Sequence, residues 1–113
     1  DRYGHQTGDR VLCRVCDCVS AQLRGGDLFV RSGGEEFLIL LPQIDEGILL
    51  KVAERIRAAV AAMTPDPAPV TVSLGTTLIR PGEELSAVLA RADEWLYRAK
   101  RGGRNQVAHD GDP

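Results

Sequence analysis

Apolar positions along this chain switch between a helical and an extended rhythm. Leu12, Val15, Cys16, Val19 and Leu23 recur at helical spacing, predicting an amphipathic helix over Val11 to Leu23. Asp9 after Gly8 is placed as its N-cap, and Gly25-Gly26 stops it near Arg24. The runs Leu28-Phe29-Val30 and Phe37-Leu38-Ile39-Leu40-Leu41 flank a glycine-rich segment, as two strands joined by a tight hairpin would. Pro42 closes the second strand. Asp45-Glu46 opens a second helix to about Met63, with Ile48, Leu49, Val52, Ile56, Ala59, Val60 and Met63 as its buried stripe.

Thr64-Pro65-Asp66-Pro67-Ala68-Pro69 is a proline-stiffened connection within one domain. Val70 to Ile79 is rich in β-branched residues and predicts a strand. Pro81-Gly82 then turns into a third helix around Leu85 to Lys100, burying Leu85, Val88, Leu89, Ala92, Trp95, Leu96 and Ala99. Gly102-Gly103 ends it, Gln106 to Ala108 forms a short last strand, and His109 to Pro113 is a polar, mobile tail. Strands interleaved with amphipathic helices indicate an α/β sandwich, helices covering a sheet. At 113 residues one core is expected, in a single domain over 1–108 with 109–113 as its tail.

Composition narrows the partners more than the fold. A net charge of −2 argues against broad nucleic-acid binding or attraction to an anionic membrane. No apolar run approaches the ~18 residues of a membrane span, and Asp1-Arg2-Tyr3-Gly4 is unlike a signal peptide; neither anchor nor export signal is expected. Cys13, Cys16 and Cys18 lack a second Cys or His cluster that would complete a tetrahedral metal set. An odd thiol count without an export signal fits structural thiols in a reducing cytoplasm.

Chemistry concentrates in Arg31-Ser32-Gly33-Gly34-Glu35-Glu36-Phe37. Glycines let a ligand approach bare backbone. Adjacent carboxylates at a turn repel unless a cation or donors offset them, so a divalent metal is a natural occupant; the plain alternative is a Gly-Gly turn carrying two solvated glutamates. Lys100 and Arg104 lie four apart, at the end of the third helix and just beyond it. They either complement the helix macrodipole or reach phosphates. Arg24 and Asp27 flank Gly25-Gly26, as a local ion pair or as a fork and acceptor for a guanine or phosphate ligand.

These motifs, in this order, resemble the GGDEF family of diguanylate cyclases in its GGEEF variant. Asp1-Arg2-Tyr3-Gly4-His5-Gln6-Thr7-Gly8-Asp9 is similar to the family's Asn-Asp-x-Tyr-Gly-His-x-x-Gly-Asp segment, entered one residue late. Arg24-Gly25-Gly26-Asp27 stands where the family has its product-inhibition Arg-x-x-Asp. Val70-Thr71-Val72-Ser73-Leu74-Gly75 and the stretch from Ala92 through Tyr97-Arg98-Ala99-Lys100 to Gly103-Arg104-Asn105 match the closing blocks. The resemblance runs from Asp1 to about Val107.

It implies a palm-like, ferredoxin-like sheet, with the family's first central strand and a short helical segment, and the metal and guanine ligands these carry, outside this chain. It implies condensation of two GTP molecules into cyclic di-GMP and pyrophosphate, dependent on Mg²⁺ or Mn²⁺, in a homodimer with product inhibition, under an upstream sensory or receiver domain. By resemblance, Glu35 ligates the metal, and Glu36 is the neighbouring catalytic acid. Gly33 and Gly34 admit the nucleotide, Asp9 reads guanine, and Lys100 and Arg104 hold phosphates. Arg24, Asp27 and Arg55 form the inhibitory product site. His5 is read as structural, and Arg31 is given no role. The alternative reading is an inactive module that binds GTP or cyclic di-GMP as a regulatory receptor.

Overall fold

The computed structural model describes the backbone of residues 4–33, 35–63 and 70–113, with side chains from Arg10 onward. Gly34 and the proline-rich connection fall outside the described residues.

Helix α1 spans Gly4–Ser20, so it begins before the expected Asp9 cap and passes through Gly8. A nucleated helix extends at one hydrogen bond per residue fixed, and a single interior glycine, at about 1 kcal/mol, does not stop it. Asp9 is therefore a helix-interior position rather than a cap; its side chain and that of His5 lie outside the described residues. The helix also ends earlier than Arg24. Gln22 N–H donates to the Val19 carbonyl at 2.9 Å and Leu23 N–H to that of Ser20 at 3.1 Å, tightening the exit by i→i−3 bonds.

Strands β1 (Leu28–Gly33) and β2 (Glu36–Leu40) form the expected antiparallel hairpin. Phe29 pairs with Ile39 and Arg31 with Phe37, and the register shifts between Arg31 and Gly33. The Phe29 and Phe37 rings lie 5.2 Å apart on the shared face. Helix α2 (Glu46–Ala61) is capped by Asp45, whose side chain accepts from Ile48 N–H at 2.8 Å. Val15 and Val19 of α1 meet Ile56 and Val60 of α2 in the main core, and Phe29, Ile39, Val72 and Leu74 pack against it. From the expected stripe Ile48 drops out, 43% exposed, while Ala53 is buried.

Strand β3 is only Leu74–Thr76, shorter than the extended run Val70 to Ile79. It pairs in parallel with β4 (Val107–His109), and a ladder cannot outrun its partner. Helix α3 (Leu85–Arg101) lies between them in sequence and buries Val88, Trp95 and Ala99, while Leu85, expected inside, is 55% exposed. Trp95, Ala99 and Ala108 make a second core cluster. The result is an α+β fold. Among the described residues its strands form two two-stranded sheets rather than one.

The chain end differs from the expected polar tail. His109 is buried in β4; its Nδ1 lies 2.7 Å from Thr76 Oγ1 and its Nε2 3.0 Å from Glu46 Oε2. Asp110 accepts from Trp95 Nε1–H at 3.2 Å and from Thr77 Oγ1–H at 2.9 Å. Asp112 Oδ2 accepts from the His109 amide at 2.7 Å. These residues belong to the packed body.

Candidate functional site

The hairpin places its polar tip where the sequence put it. Nothing lies within 4 Å of where a Cβ on Gly33 would stand, so the backbone is open to a ligand there. Glu35 and Glu36 are exposed. The last turn of α3 carries Arg98, Lys100 and Arg101, and Lys100 Nζ reaches Glu36 Oε2 at 3.5 Å. Residues 64 positions apart thus bring an acidic turn and a cationic helix end together. Their side chains are 50% and 36% exposed; such a pair is worth ~0–1 kcal/mol, so an incoming phosphate can displace it.

Beyond α3 the chain turns sharply. Arg104 and Asn105 both adopt left-handed backbone, φ 64° and 47°, and Arg104 N–H donates back to the Ala99 carbonyl at 3.0 Å. The Arg104 side chain is exposed. Asn105 Oδ1 accepts from Arg57 Nη1–H at 2.9 Å. This tie from α2 escapes sequence reasoning, because no periodicity links residues 48 apart.

Arg24 and Asp27 form a closed turn. Asp27 Oδ2 accepts from the Arg24 amide at 2.7 Å and Oδ1 from the Arg24 guanidinium at 3.3 Å. The Asp27 side chain is 2% exposed and that of Arg24 60%. The Arg24 amide, then its guanidinium, holds the Asp27 carboxyl below the usual carboxylate range. Asp27 therefore shapes the turn, while Arg24, which also donates to the Pro42 carbonyl at 3.2 Å, faces solvent. Arg55 Nη2 donates to the Gln22 carbonyl at 2.7 Å, so it is seated against the same α1–β1 connection.

Between α1 and the hairpin lies an open cavity of about 370 Å³, lined by Leu12, Cys13, Cys16, Asp17, Phe29, Val30, Arg31 and Phe37. Position 9 stands one helical turn before Cys13 on α1. The three cysteines are free thiols. Burial, then the neighbouring Cys13 and Asp17, pushes the Cys16 thiol up, which makes it less nucleophilic. Among the described residues no three His, Cys, Asp or Glu side chains converge as a metal-binding set; Glu35 and Glu36 supply two adjacent exposed carboxylates.

A second polar cluster sits elsewhere. Arg91 donates to Glu83, to Thr77 Oγ1 at 2.8 Å and to the Leu78 carbonyl at 2.8 Å, and lies 3.3 Å from Asp110. It fastens the start of α3 to the segments flanking the β3–β4 pair, a structural task.

Comparison with known proteins gives a consistent answer. The family model "Diguanylate cyclase, GGDEF domain" matches residues 1–106. Diguanylate cyclase DgcM of Escherichia coli (strain K12) is 43% identical over 108 residues, covering 95% of this chain and 26% of that protein. This chain thus spans about a quarter of that curated relative. The GGDEF domain of DgcB from Caulobacter crescentus, solved in complex with c-di-GMP, superposes with a TM-score of 0.89 at 34% identity, covering 99% of this chain and 68% of that one. Diguanylate cyclase SiaD from Pseudomonas aeruginosa, solved with its activator SiaC, gives a TM-score of 0.88 at 40% identity, covering 97% and 44%.

Proposed function

Because this chain belongs to the GGDEF domain family of diguanylate cyclases, we propose that the protein carrying it condenses two GTP molecules into cyclic di-GMP and pyrophosphate. The observation that carries this reading is the approach of Glu36 to Lys100, which sets a carboxylate pair beside a cationic helix end at an open glycine turn. Lys100 leaves Glu36 for the β- and γ-phosphates, and Arg104 supplies the second cation, so the triphosphate is neutralised and oriented. Gly33 and Gly34 allow the nucleotide close to the backbone. Asp9, one turn from the cavity, accepts from guanine N1–H and the 2-amino group, donors that adenine does not present together.

Two adjacent exposed carboxylates suit Mg²⁺ or Mn²⁺, since magnesium is commonly held by one or two carboxylates with substrate phosphates and water. Glu35 would be the principal ligand and Glu36 its neighbour; a bound ion would offset triphosphate charge and ease deprotonation of the attacking 3′-hydroxyl. Each domain presents one nucleotide, and the hydroxyl of each must align with the other's α-phosphate, so the active species is a homodimer. Arg24, with Arg55 beside the same connection, takes the cyclic product. An upstream sensory or receiver domain sets the dimer's geometry, in keeping with a chain that spans a quarter of its relative's length. The setting is the cytoplasm, where GTP is supplied; among the described residues no helix is long and apolar enough to cross a membrane.

A receptor that binds GTP or cyclic di-GMP without turnover is the second reading, favoured by the lack of a third metal carboxylate among the described residues. Incubating the full-length protein with GTP and Mg²⁺ or Mn²⁺, followed by chromatography, separates the two. Cyclic di-GMP is expected, and Glu35→Gln should reduce its formation at least ~10²-fold with the circular dichroism unchanged. GTP left unconverted by a dimeric sample would overturn the cyclase reading.

A further inference from the structure

We infer that Arg57 is a positioning residue for the phosphate-binding turn: through Asn105 it fixes where Arg104 presents its guanidinium. The inference rests on the nucleotide reading of Lys100 and Arg104 given above.

Arg57 stands on α2, one residue after the buried Ile56, so its backbone is held by the main core. Each of its three guanidinium nitrogens makes one hydrogen bond, using three of five N–H donors. Nε–H and Nη2–H donate to the two Glu54 carboxylate oxygens at 2.7 and 2.6 Å, and Nη1–H donates to Asn105 Oδ1 at 2.9 Å. A planar fork held by Glu54 along one edge is fixed in orientation, which aims Nη1 at Asn105. Arg57 thus acts on the turn through Asn105 rather than as a phosphate ligand itself.

The turn needs such a hold. Arg104 and Asn105 are consecutive non-glycine residues in left-handed backbone, a conformation retained only where the surroundings over-determine it. The backbone bonds of Gly103 to Lys100 and of Arg104 to Ala99 tie the turn to α3, and the bond of Leu74 N–H to the Gln106 carbonyl ties it to β3. Arg57 adds a tie from a third element, at the residue beside the phosphate-seeking arginine. Two residues before Arg57, and so on another side of the same helix, Arg55 grips the Gln22 carbonyl; α2 is braced at both places.

The test is binding of a non-hydrolysable GTP analogue, and of guanosine as the phosphate-free control, to the full-length protein and its variants. Arg57→Met, which keeps the apolar stem, should weaken the analogue about tenfold and leave guanosine unchanged. Arg57→Lys should behave like Arg57→Met, because a lysine keeps the charge but not the fork. Asn105→Ala, which leaves α2 untouched, should match them, and the double variant Arg57→Met/Asn105→Ala should be no worse than either alone. Asn105→Gly separates positioning from stability: glycine accepts this backbone freely, so thermal stability should not fall while analogue binding falls as in Asn105→Ala. In turnover, KM for GTP should rise more than kcat falls. Analogue affinity within twofold of wild type in Arg57→Met and Asn105→Ala, full affinity in Arg57→Lys, or losses that multiply in the double variant would each overturn the inference. A wild-type protein that binds the analogue yet makes no cyclic di-GMP overturns the cyclase reading alone. One that does not bind the analogue overturns both.

Discussion

Asp27 and Glu83 are each bonded to the backbone amide three residues earlier, yet only one of the two turns was legible. Arg24-Gly25-Gly26-Asp27 announces itself by two glycines between opposite charges, and the carboxylate closes that turn. Glu83 accepts from the Arg80 amide at 2.7 Å and also takes two bonds from Arg91, eight residues on. The sequence shows it only as another surface charge. Asn105 is similar, a motif residue whose anchor lies 48 positions away. The Arg91 guanidinium first, then the Arg80 amide, lowers the Glu83 carboxyl from near 4.5 to about 2. Below the ordinary carboxylate value the unfolded chain binds a proton that the folded chain refuses, so stability falls as pH drops. The contribution is present above about pH 4.5 and is lost as pH drops towards about 2. Asp27 adds in the same direction. Thermal unfolding of the chain should show a midpoint falling across that window, and Glu83→Gln should flatten the fall while lowering the midpoint at neutral pH. An identical pH profile in Glu83→Gln would show that Glu83 takes no part in the acid response.

The hairpin, α2 and α3 were legible because their signals are local: a glycine pair between apolar runs, an aspartate cap, and helical stripes. What failed depends on partners distant in sequence. The extended run beyond Thr76 looks like strand, but β4 offers only three residues to pair with. His109 and Asp110 look like a tail because their partners, Glu46, Thr76 and Trp95, are 15 to 63 residues away. Gly75 shows the same dependence, as a strand glycine whose purpose appears only in three dimensions. A Cβ at that position would fall on the Leu96 amide and the Ala92 carbonyl, so β3 can lie this close to α3 only without a side chain. Those obstacles are backbone and cannot rotate away. Gly75→Ala should therefore push strand and helix apart and destabilise the fold by ~1–3 kcal/mol, the range for overpacking, read as a lower denaturant midpoint with the slope unchanged. A midpoint equal to wild type would mean that the contact relaxes without cost.

Across the whole molecule the two ends of β1 separate the site proposed for substrate from the site proposed for product. Glu35, Glu36 and Lys100 gather beyond its Gly33 end, while Arg24 and Arg55 sit by the connection that enters at Leu28. Six residues of strand at ~3.3 Å each separate them by well over one hydrogen-bond length, in a body 47 Å along its longest axis. Cyclic di-GMP held at Arg24 would not occupy the positions assigned to GTP. If Arg24 of one domain and Arg55 of another share the same ligand, the two domains are kept out of the face-to-face arrangement that condensation requires. Inhibition by product should then lower kcat without raising KM for GTP. Calorimetry on the full-length protein should show cyclic di-GMP binding weakened by ~1.5–3 kcal/mol in Arg24→Ala, the loss expected for a charge-assisted contact, with GTP affinity retained. Since Asp27 already accepts two bonds from Arg24 within its own turn and its side chain is only 2% exposed, Asp27→Asn should weaken the product less than Arg24→Ala, acting through the shape of the turn. A product that raises KM alone, or equal affinity for wild type and Arg24→Ala, would mean that Arg24-Gly25-Gly26-Asp27 serves only to join α1 to β1.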